Sequence, residues 1–284
     1  MRERLFVLLQ WLLPHHLLSR WMYRLARSER DWIRRPMIHF VLRRYRVDLE
    51  EAAPPDPDAY TSFNAFFTRP LRPGARPVDP DPAHLVSPVD GTLSAIGTLS
   101  GNRLLQAKGK TYTLEALLGD RDWAARFRDG AFATLYLAPR DYHRIHMPCA
   151  GCLTGERYLP GRLFSVDAAA VRYVPGLFTR NERLACRFQT LFGELVLVAV
   201  GALFVGSIET VWGGEVTPPH RSRPESRTHP GTLCLDKGEE MGRFNYGSTV
   251  ILLLPPGTLD WREDLRPGAR VRMGEWLGTL HRTP

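Results

Sequence analysis

The positive charge of this 284-residue chain is confined to its first sixth. Residues 1–46 carry eleven arginines against three acids (Glu3, Glu29, Asp31), a net of +8 that equals the net charge of the whole chain. The rest is balanced, with 27 basic and 27 acidic side chains. A sequence divided this way predicts a neutral folded body carrying a basic N-terminal attachment. It argues against a general nucleic-acid binder, whose basic residues would line the body itself. Hydrophobic content of 44% and aromatic content of 10% are enough for a packed core and exclude a disordered chain.

The attachment has no stretch of the roughly 18–20 apolar residues that a bilayer span needs. Leu5 to Leu13 is apolar except for Gln10, and Pro14, His15 and His16 then interrupt it. A basic start and a short apolar run also describe a secretory signal, but no small-residue cleavage site follows. Leu17, Leu18, Trp21, Met22 and Leu25 recur at helical spacing on one face, and Arg20, Arg24 and Arg27 fall on another. Together with Trp11, Trp21 and Trp32 this reads as an interfacial amphipathic helical segment over residues 1–51. Each arginine near an anionic surface contributes about 1 kcal/mol. The other reading is an amphipathic helix packed on the body with its arginines in water. Four scattered cysteines (Cys149, Cys152, Cys186, Cys234) make no disulfide framework and point to a reducing compartment. The expected location is therefore peripheral, on the cytoplasmic side of the cell membrane.

The link Ala52-Ala53-Pro54-Pro55-Asp56-Pro57-Asp58 separates this segment from a body over 52–284. Strands are expected at Leu85–Ile96, Phe132–Ala138, Leu195–Ile208, Thr249–Leu254 and Val271–Leu280, each rich in Val, Leu or Ile and edged by Gly or Pro. Helices are expected near Leu114–Leu118 and Asp122–Arg128. Many strands with few helices between them predict an α+β fold with a β-rich body, a compact barrel or sandwich-like sheet. Val89–Leu93 and Met273–Gly278 are candidates to pair within it.

Three segments combine reactive side chains with turn chemistry. Asp90 sits between Pro88 and Gly91, where a plain Asp-Gly turn is the simpler reading. Tyr142-His143-Arg144-Ile145-His146-Met147-Pro148 runs into Cys149-Ala150-Gly151-Cys152, so His143, His146, Cys149 and Cys152 could ligate zinc. Such close spacing would strain the backbone, because zinc sites usually separate their ligand pairs by a dozen or more residues. The third is Gly247-Ser248 at the mouth of the apolar run Val250–Leu254. It is either a hairpin turn or a self-cleaving serine, since glycine puts no side chain over the carbonyl to be attacked. A Gly-x-Ser-x-Gly elbow is absent, which disfavours an α/β-hydrolase.

In order along the chain, Ser62-Phe63-Asn64…Phe66-Phe67-Thr68-Arg69-Pro70-Leu71, Pro88-Val89-Asp90-Gly91, Tyr142–Pro148, Pro160-Gly161…Leu163-Phe164-Ser165-Val166, Asn181-Glu182-Arg183, Val205-Gly206-Ser207-Ile208 and Lys237–Gly242…Gly247-Ser248-Thr249 resemble the phosphatidylserine decarboxylase proenzymes of the longer, membrane-associated bacterial type. Each piece is weak alone, and seven in register are specific. One departure is Tyr246, where the family usually has leucine before Gly-Ser-Thr. The resemblance implies a self-cleavage triad of Asp90, His146 and Ser248, acting at the Gly247–Ser248 bond to give chains 1–247 and 248–284. Ser248 would become a covalent pyruvoyl group, the cofactor that forms a Schiff base with the substrate amine, and His143 would aid decarboxylation and protonation. Decarboxylating an amino acid needs an electron sink that no ordinary side chain supplies. Pyridoxal phosphate is the usual alternative, but the chain has three lysines (Lys108, Lys110, Lys237) and no recognisable fold for it. The implied partners are phosphatidylserine, an anionic membrane surface and the second chain of a heterodimer that is open to further homo-oligomerisation, with no nucleic acid. Two rivals stand beside this reading: the zinc-dependent hydrolase and a non-enzymatic membrane-docked module.

Overall fold

The computed structural model describes residues 2–107, 109–203, 207–218, 220–245 and 248–282. Three helices open the chain, α1 (Arg2–Leu12), α2 (His15–Ala26) and α3 (Asp31–Tyr45), and a short α4 (Phe63–Phe67) follows the proline-rich link. The body continues through β1 (His84–Val86), β2 (Gly91–Thr98), β3 (Arg103–Ala107), β4 (Lys110–Thr113), α5 (Leu114–Leu118), α6 (Arg121–Arg126), β5 (Ala131–Leu137), β6 (Arg144–His146) and β7 (Gly151–Leu159). Next come α7 (Ala168–Tyr173), α8 (Leu177–Arg180), β8 (Arg183–Thr190), β9 (Gly193–Val200), β10 (Ile208–Thr210), β11 (Gly214–Glu215) and β12 (Glu225–Thr228). The last strands are β13 (Cys234–Leu235), β14 (Glu240–Phe244), β15 (Ser248–Leu254), β16 (Leu259–Trp261), β17 (Arg270–Val271) and β18 (Trp276–Leu280).

An antiparallel sheet in the order β12-β7-β8-β9-β15-β5-β2-β17, with β13 also on β7, forms the centre. Its middle strands are buried on both faces, which is why their sequences read as unbroken apolar runs rather than as alternation. Leu195, Leu197, Val250, Leu252 and Leu135 point into one core; Val196, Val198, Ile251, Leu253 and Phe132 point into another. The second core is covered by helices that contribute Leu114, Leu117, Val171, Leu177 and Phe178. The first is covered by two small sheets, β1-β18-β16 and β11-β10-β14-β6. Local chemistry starts the covering helices on cue. Thr113 Oγ1 accepts the Ala116 N–H at α5, and Asp120 Oδ1 accepts two amides at α6.

The expected α+β class with a β-rich body holds, but the sheet does not close into a barrel. β2 pairs β17 only at Thr92–Arg270 and Gly91–Val271, while β18 turns away to pair β1 and β16. Three expected strands are interrupted by turns. Residues 87–90 split β1 from β2, residues 201–203 and 207 lie outside β9 and β10, and the turn at Gly274 (φ +86°) splits β17 from β18. The cysteines also differ from expectation: Cys152 and Cys234 lie opposite each other on β7 and β13 and form a disulfide, while Cys149 and Cys186 are free and buried.

At the N-terminus the helices contact the body through polar groups. Gln10 exchanges two hydrogen bonds with Ser165 (2.9 and 2.8 Å), and the Leu163 N–H reaches His15 Nδ1 (3.2 Å). α2 buries His15, Ser19 and Ala26, so the face expected to be apolar, with Leu17, Trp21 and Leu25, looks outward. That overturns the picture of an apolar stripe packed on the body. Among the described residues no helix is long and apolar enough to cross a membrane. A third core, with Ala26, Ile38, Val41, Tyr60, Phe63, Phe66 and Phe67, ties α2 and α3 to α4.

Candidate active site

β15 is the central strand, and its first residue, Ser248, pairs with Leu137, the last residue of β5. The serine backbone therefore lies where the chain leaves β5 for the His143–His146 segment. Gly247 and Tyr246 lie outside the described residues, as do Val205, Gly206 and the Ser248 side chain.

From Leu137 the chain makes a tight turn fixed by Asp141. Its Oδ2 accepts the Ala138 N–H (2.7 Å), and its Oδ1 accepts from Arg270 (2.8 Å). The turn delivers His143 into the interior with no solvent exposure. His143 Nδ1 donates to the Asp141 carbonyl (2.7 Å), which leaves Nε2 as the lone-pair nitrogen, and Nε2 is buried without a partner among the described residues. The imidazole lies 4.0 Å from the Phe67 ring. Burial, aided by the nearby Arg69 cation, pushes its pKa down to about 3, so the ring is neutral near pH 7.

His146 closes β6. Its Nδ1 donates to the Gly238 carbonyl (2.8 Å), and its Nε2 accepts from the Tyr142 hydroxyl (3.0 Å). Burial holds it below the ordinary histidine value, while Asp90 pulls in the opposite direction as a lesser influence. Gly238 is at φ +82°, and a Cβ there would meet Val78 at 2.7 Å, so glycine is required for this carbonyl to reach the ring.

Asp90 is buried in the turn between β1 and β2. It receives a forked bond from Arg76 (2.9 and 2.6 Å) and the Met273 N–H (2.8 Å). Arg76 also pairs with Glu51 at 2.8 Å, bringing a residue of the N-terminal segment to the site. The structure does not join Asp90 to His146 by a hydrogen bond; the Gly238 carbonyl occupies that position on the ring. The next residue, Gly91, has no room for a side chain, because a Cβ would lie 2.6 Å from the Tyr136 carbonyl oxygen on β5. This close approach is what the Asp-Gly pair serves.

A cavity of about 450 Å³ opens beside this cluster, with Asp90, Tyr142, Arg69, Arg76 and Arg270 on its walls. Arg69 is buried and donates to the Arg140 carbonyl (3.1 Å), with no carboxylate partner among the described residues. Three side chains that sequence reasoning left without a role clamp the approach to residue 246. Asn245 donates to Ser207 Oγ (2.7 Å) and accepts from Asn64 (3.1 Å), and the Phe244 N–H donates to the His143 carbonyl (3.0 Å). Their signal was present in Ser62-Phe63-Asn64, where Ser62 caps α4 (Oγ to Ala65 N, 3.1 Å) and so orients Asn64.

The zinc reading fails on geometry. Cys152 is consumed by its disulfide, His146 Nε2 is taken by the Tyr142 hydroxyl, and Cys149 is buried with its thiol pushed up to about 12. Among the described residues no group of three or more His, Cys, Asp or Glu side chains is placed to hold a metal ion.

Comparison with known proteins adds an independent line. The profile of a family described as phosphatidylserine decarboxylase matches residues 63–279, and a second profile, described as PSD, matches residues 5–46. A phosphatidylserine decarboxylase proenzyme of Halorhodospira halophila is 53% identical over 282 residues, covering 99% of this chain and 95% of the relative. Proenzymes of the same description from Nitrosococcus oceani (51%, 99% of this chain and 92% of the relative) and Ectopseudomonas mendocina (49%, 98% and 99%) are similar over the same extent.

Proposed function

The chain belongs to the phosphatidylserine decarboxylase family, and on that premise we propose that it is a self-cleaving enzyme that converts phosphatidylserine to phosphatidylethanolamine and carbon dioxide. The observation that carries this reading is the placement of the Ser248 backbone at the head of β15, opposite the strand end from which the His143–His146 segment departs. A serine whose own strand is paired on both sides, by β5 and β9, is held still while the bond before it is attacked.

In cleavage, Ser248 Oγ attacks the Gly247 carbonyl and His146 takes the hydroxyl proton. The Gly238 carbonyl fixes the tautomer, so Nε2 is the basic nitrogen. Tyr142 occupies Nε2 and gives way to, or relays for, the serine hydroxyl. Asp90 contributes its negative charge from the Arg76 fork instead of a direct bond to the ring. The peptide bond is exchanged for an ester, elimination releases chain 1–247 as its carboxylate, and the dehydroalanine left at residue 248 tautomerises to an imine that takes up water and loses ammonia. Chains 1–247 and 248–284 result, joined as a heterodimer by the strand pairing of β15.

The chemistry left at residue 248 is a pyruvoyl ketone, which supplies the electron sink for decarboxylation. Two buried polar atoms without partners fit such a group. Thr249 Oγ1 is beside it in sequence, and His143 Nε2 lies on the segment that leads away from Leu137. His143, neutral and buried, presents Nε2 as an acceptor that can hold the water whose proton goes to the headgroup carbon. The cavity next to Tyr142 is lined by six arginines and five carboxylates, which fits a headgroup that carries charges of both signs. The outward apolar residues of α1 and α2 fit peripheral association with a lipid surface on the cytoplasmic side, where the substrate's acyl chains remain.

The test compares wild type with Ser248→Ala. Wild type should run as two chains and release carbon dioxide from phosphatidylserine vesicles, and the variant should stay intact and inactive. A cleaved or active Ser248→Ala protein would contradict the proposal.

A further inference from the structure

A cavity of about 720 Å³ that shares no lining residue with the one beside the histidine pair lies between α2 and residues 218 and 220–222. Its walls carry His16, Arg20 and Arg24 from α2 and His220 and Arg221 from the body, with no acidic side chain among them. His220 and Arg221 are anchored by carboxylates outside the cavity, Glu182 at 2.9 Å and Glu225 at 3.0 Å. Arg20 and Arg24 make no ion pair among the described residues. At the C-cap of the same helix, Arg27 is paired with Glu215, so the absence at Arg20 and Arg24 is local. His16 and His220 face each other with ring centroids 4.6 Å apart, and His16 Nδ1 is buried with no hydrogen-bond partner among the described residues. Burial and the facing His220 hold His16 below its ordinary value, a strain that an anion in the cavity would relieve.

The cavity does not stand alone. The helix that lines it turns Leu17, Trp21 and Leu25 outward, and Leu13 is exposed just before it. A ligand with a negative head and long apolar tails would match both features at once: its charge meets the unpaired arginines while its tails follow the exposed face. A free anion would use only the first feature.

We propose that this cavity seats the phosphodiester of an anionic membrane phospholipid, with Arg20, Arg24 and Arg221 as its charged partners and the acyl chains lying along Leu13, Leu17 and Trp21. The site rests on the reading that the chain works at a lipid surface and adds to it a specific point of attachment away from the histidine pair.

The test is equilibrium binding of the full chain to vesicles, read by flotation and independent of turnover. The probe is phosphatidylglycerol in phosphatidylcholine, an anionic lipid with no serine to decarboxylate. Arg20→Gln/Arg24→Gln should weaken binding about tenfold to thirtyfold. Ser222→Glu, which places a negative charge on the body side of the cavity without touching α2, should cause a similar loss. Arg43→Gln/Arg44→Gln removes the same charge from exposed positions on α3 and should cost a few-fold at most. Equal losses for the α2 and α3 pairs, with Ser222→Glu binding like wild type, would mean diffuse attraction and no site. Inorganic phosphate should displace no more protein than chloride at equal ionic strength; greater displacement would make the ligand a free anion and overturn the lipid assignment. Because the probe is not a substrate, these outcomes stand whether or not Ser248→Ala blocks cleavage.

Discussion

The N-terminal helices and the strand end at β5 handle polarity in opposite ways. Along α1 and α2, Leu8, Leu9, Leu12, Leu17 and Trp21 are exposed while Gln10, His15 and Ser19 are buried against the body. Around β5 the apolar residues are buried as usual, and polar groups are buried with them: Asp90, Asp141, His143 and His146. The first pattern gains nothing in water and gains about 25 cal/mol per Å² wherever an apolar phase covers the helices. The second costs stability unless each group is paired, and the structure pairs Asp90 with Arg76 and Asp141 with Arg270 while leaving His143 Nε2 alone. If the first region serves a lipid boundary and the second the chemistry, as proposed, the two should fail independently.

Substitutions can break that separation or sharpen it. The largest effect is expected from His146→Gln, which keeps the ring's volume roughly but removes the base. Self-cleavage, followed by time-resolved intact mass, should slow by about 10²–10⁴-fold, and vesicle binding should not change. Asp90→Asn comes next. Removing one partner of a buried pair costs about 3–5 kcal/mol, and Arg76 retains Glu51, so the lower part of that range is expected in urea unfolding.

His143 gives a pH signature. Its folded pKa of about 3 lies below the unfolded value of about 6.5, so the unfolded chain gains the proton first as pH falls. The ring contributes no pH dependence above about 6.5. Below it, stability should decline by about 1.4 kcal/mol per pH unit until the folded value is reached. His143→Asn should flatten this slope between pH 6.5 and 5 in urea midpoints; an unchanged slope would show that the ring is not held neutral. The smallest effect concerns the other region. Trp21→Ser should weaken vesicle binding about tenfold and leave the cleavage rate as in wild type. A matching loss of cleavage would show the two regions to be one.

The sequence exposed the strongest parts of this arrangement. β5 and β15 were legible because strands buried on both faces leave unbroken apolar runs, and α5 because Leu114–Leu118 lies between a threonine cap and Gly119. β7 and β8 escape this reading: Gly151–Leu159 is not an unbroken apolar run, since Thr154, Glu156 and Arg157 interrupt it and its register shifts near Gly155. At the site, the turn residues Asp90-Gly91 and the two histidines stood out, because only particular residues fit there. The partners that hold them did not. Arg76, Gly238, Asn245 and Asn64 reach the site from distant segments, and one sequence records no such contacts. The disulfide was hidden for the same reason, since strand register alone brings residues 152 and 234 together.

The most direct measurement is the intact mass of the smaller chain from freshly purified wild-type protein, with and without a carbonyl-reactive hydrazide. The account predicts a 248–284 fragment lighter by one ammonia than simple hydrolysis would leave, and one hydrazide adduct on it. An uncut 284-residue chain, or a fragment beginning with an unmodified serine, would contradict it.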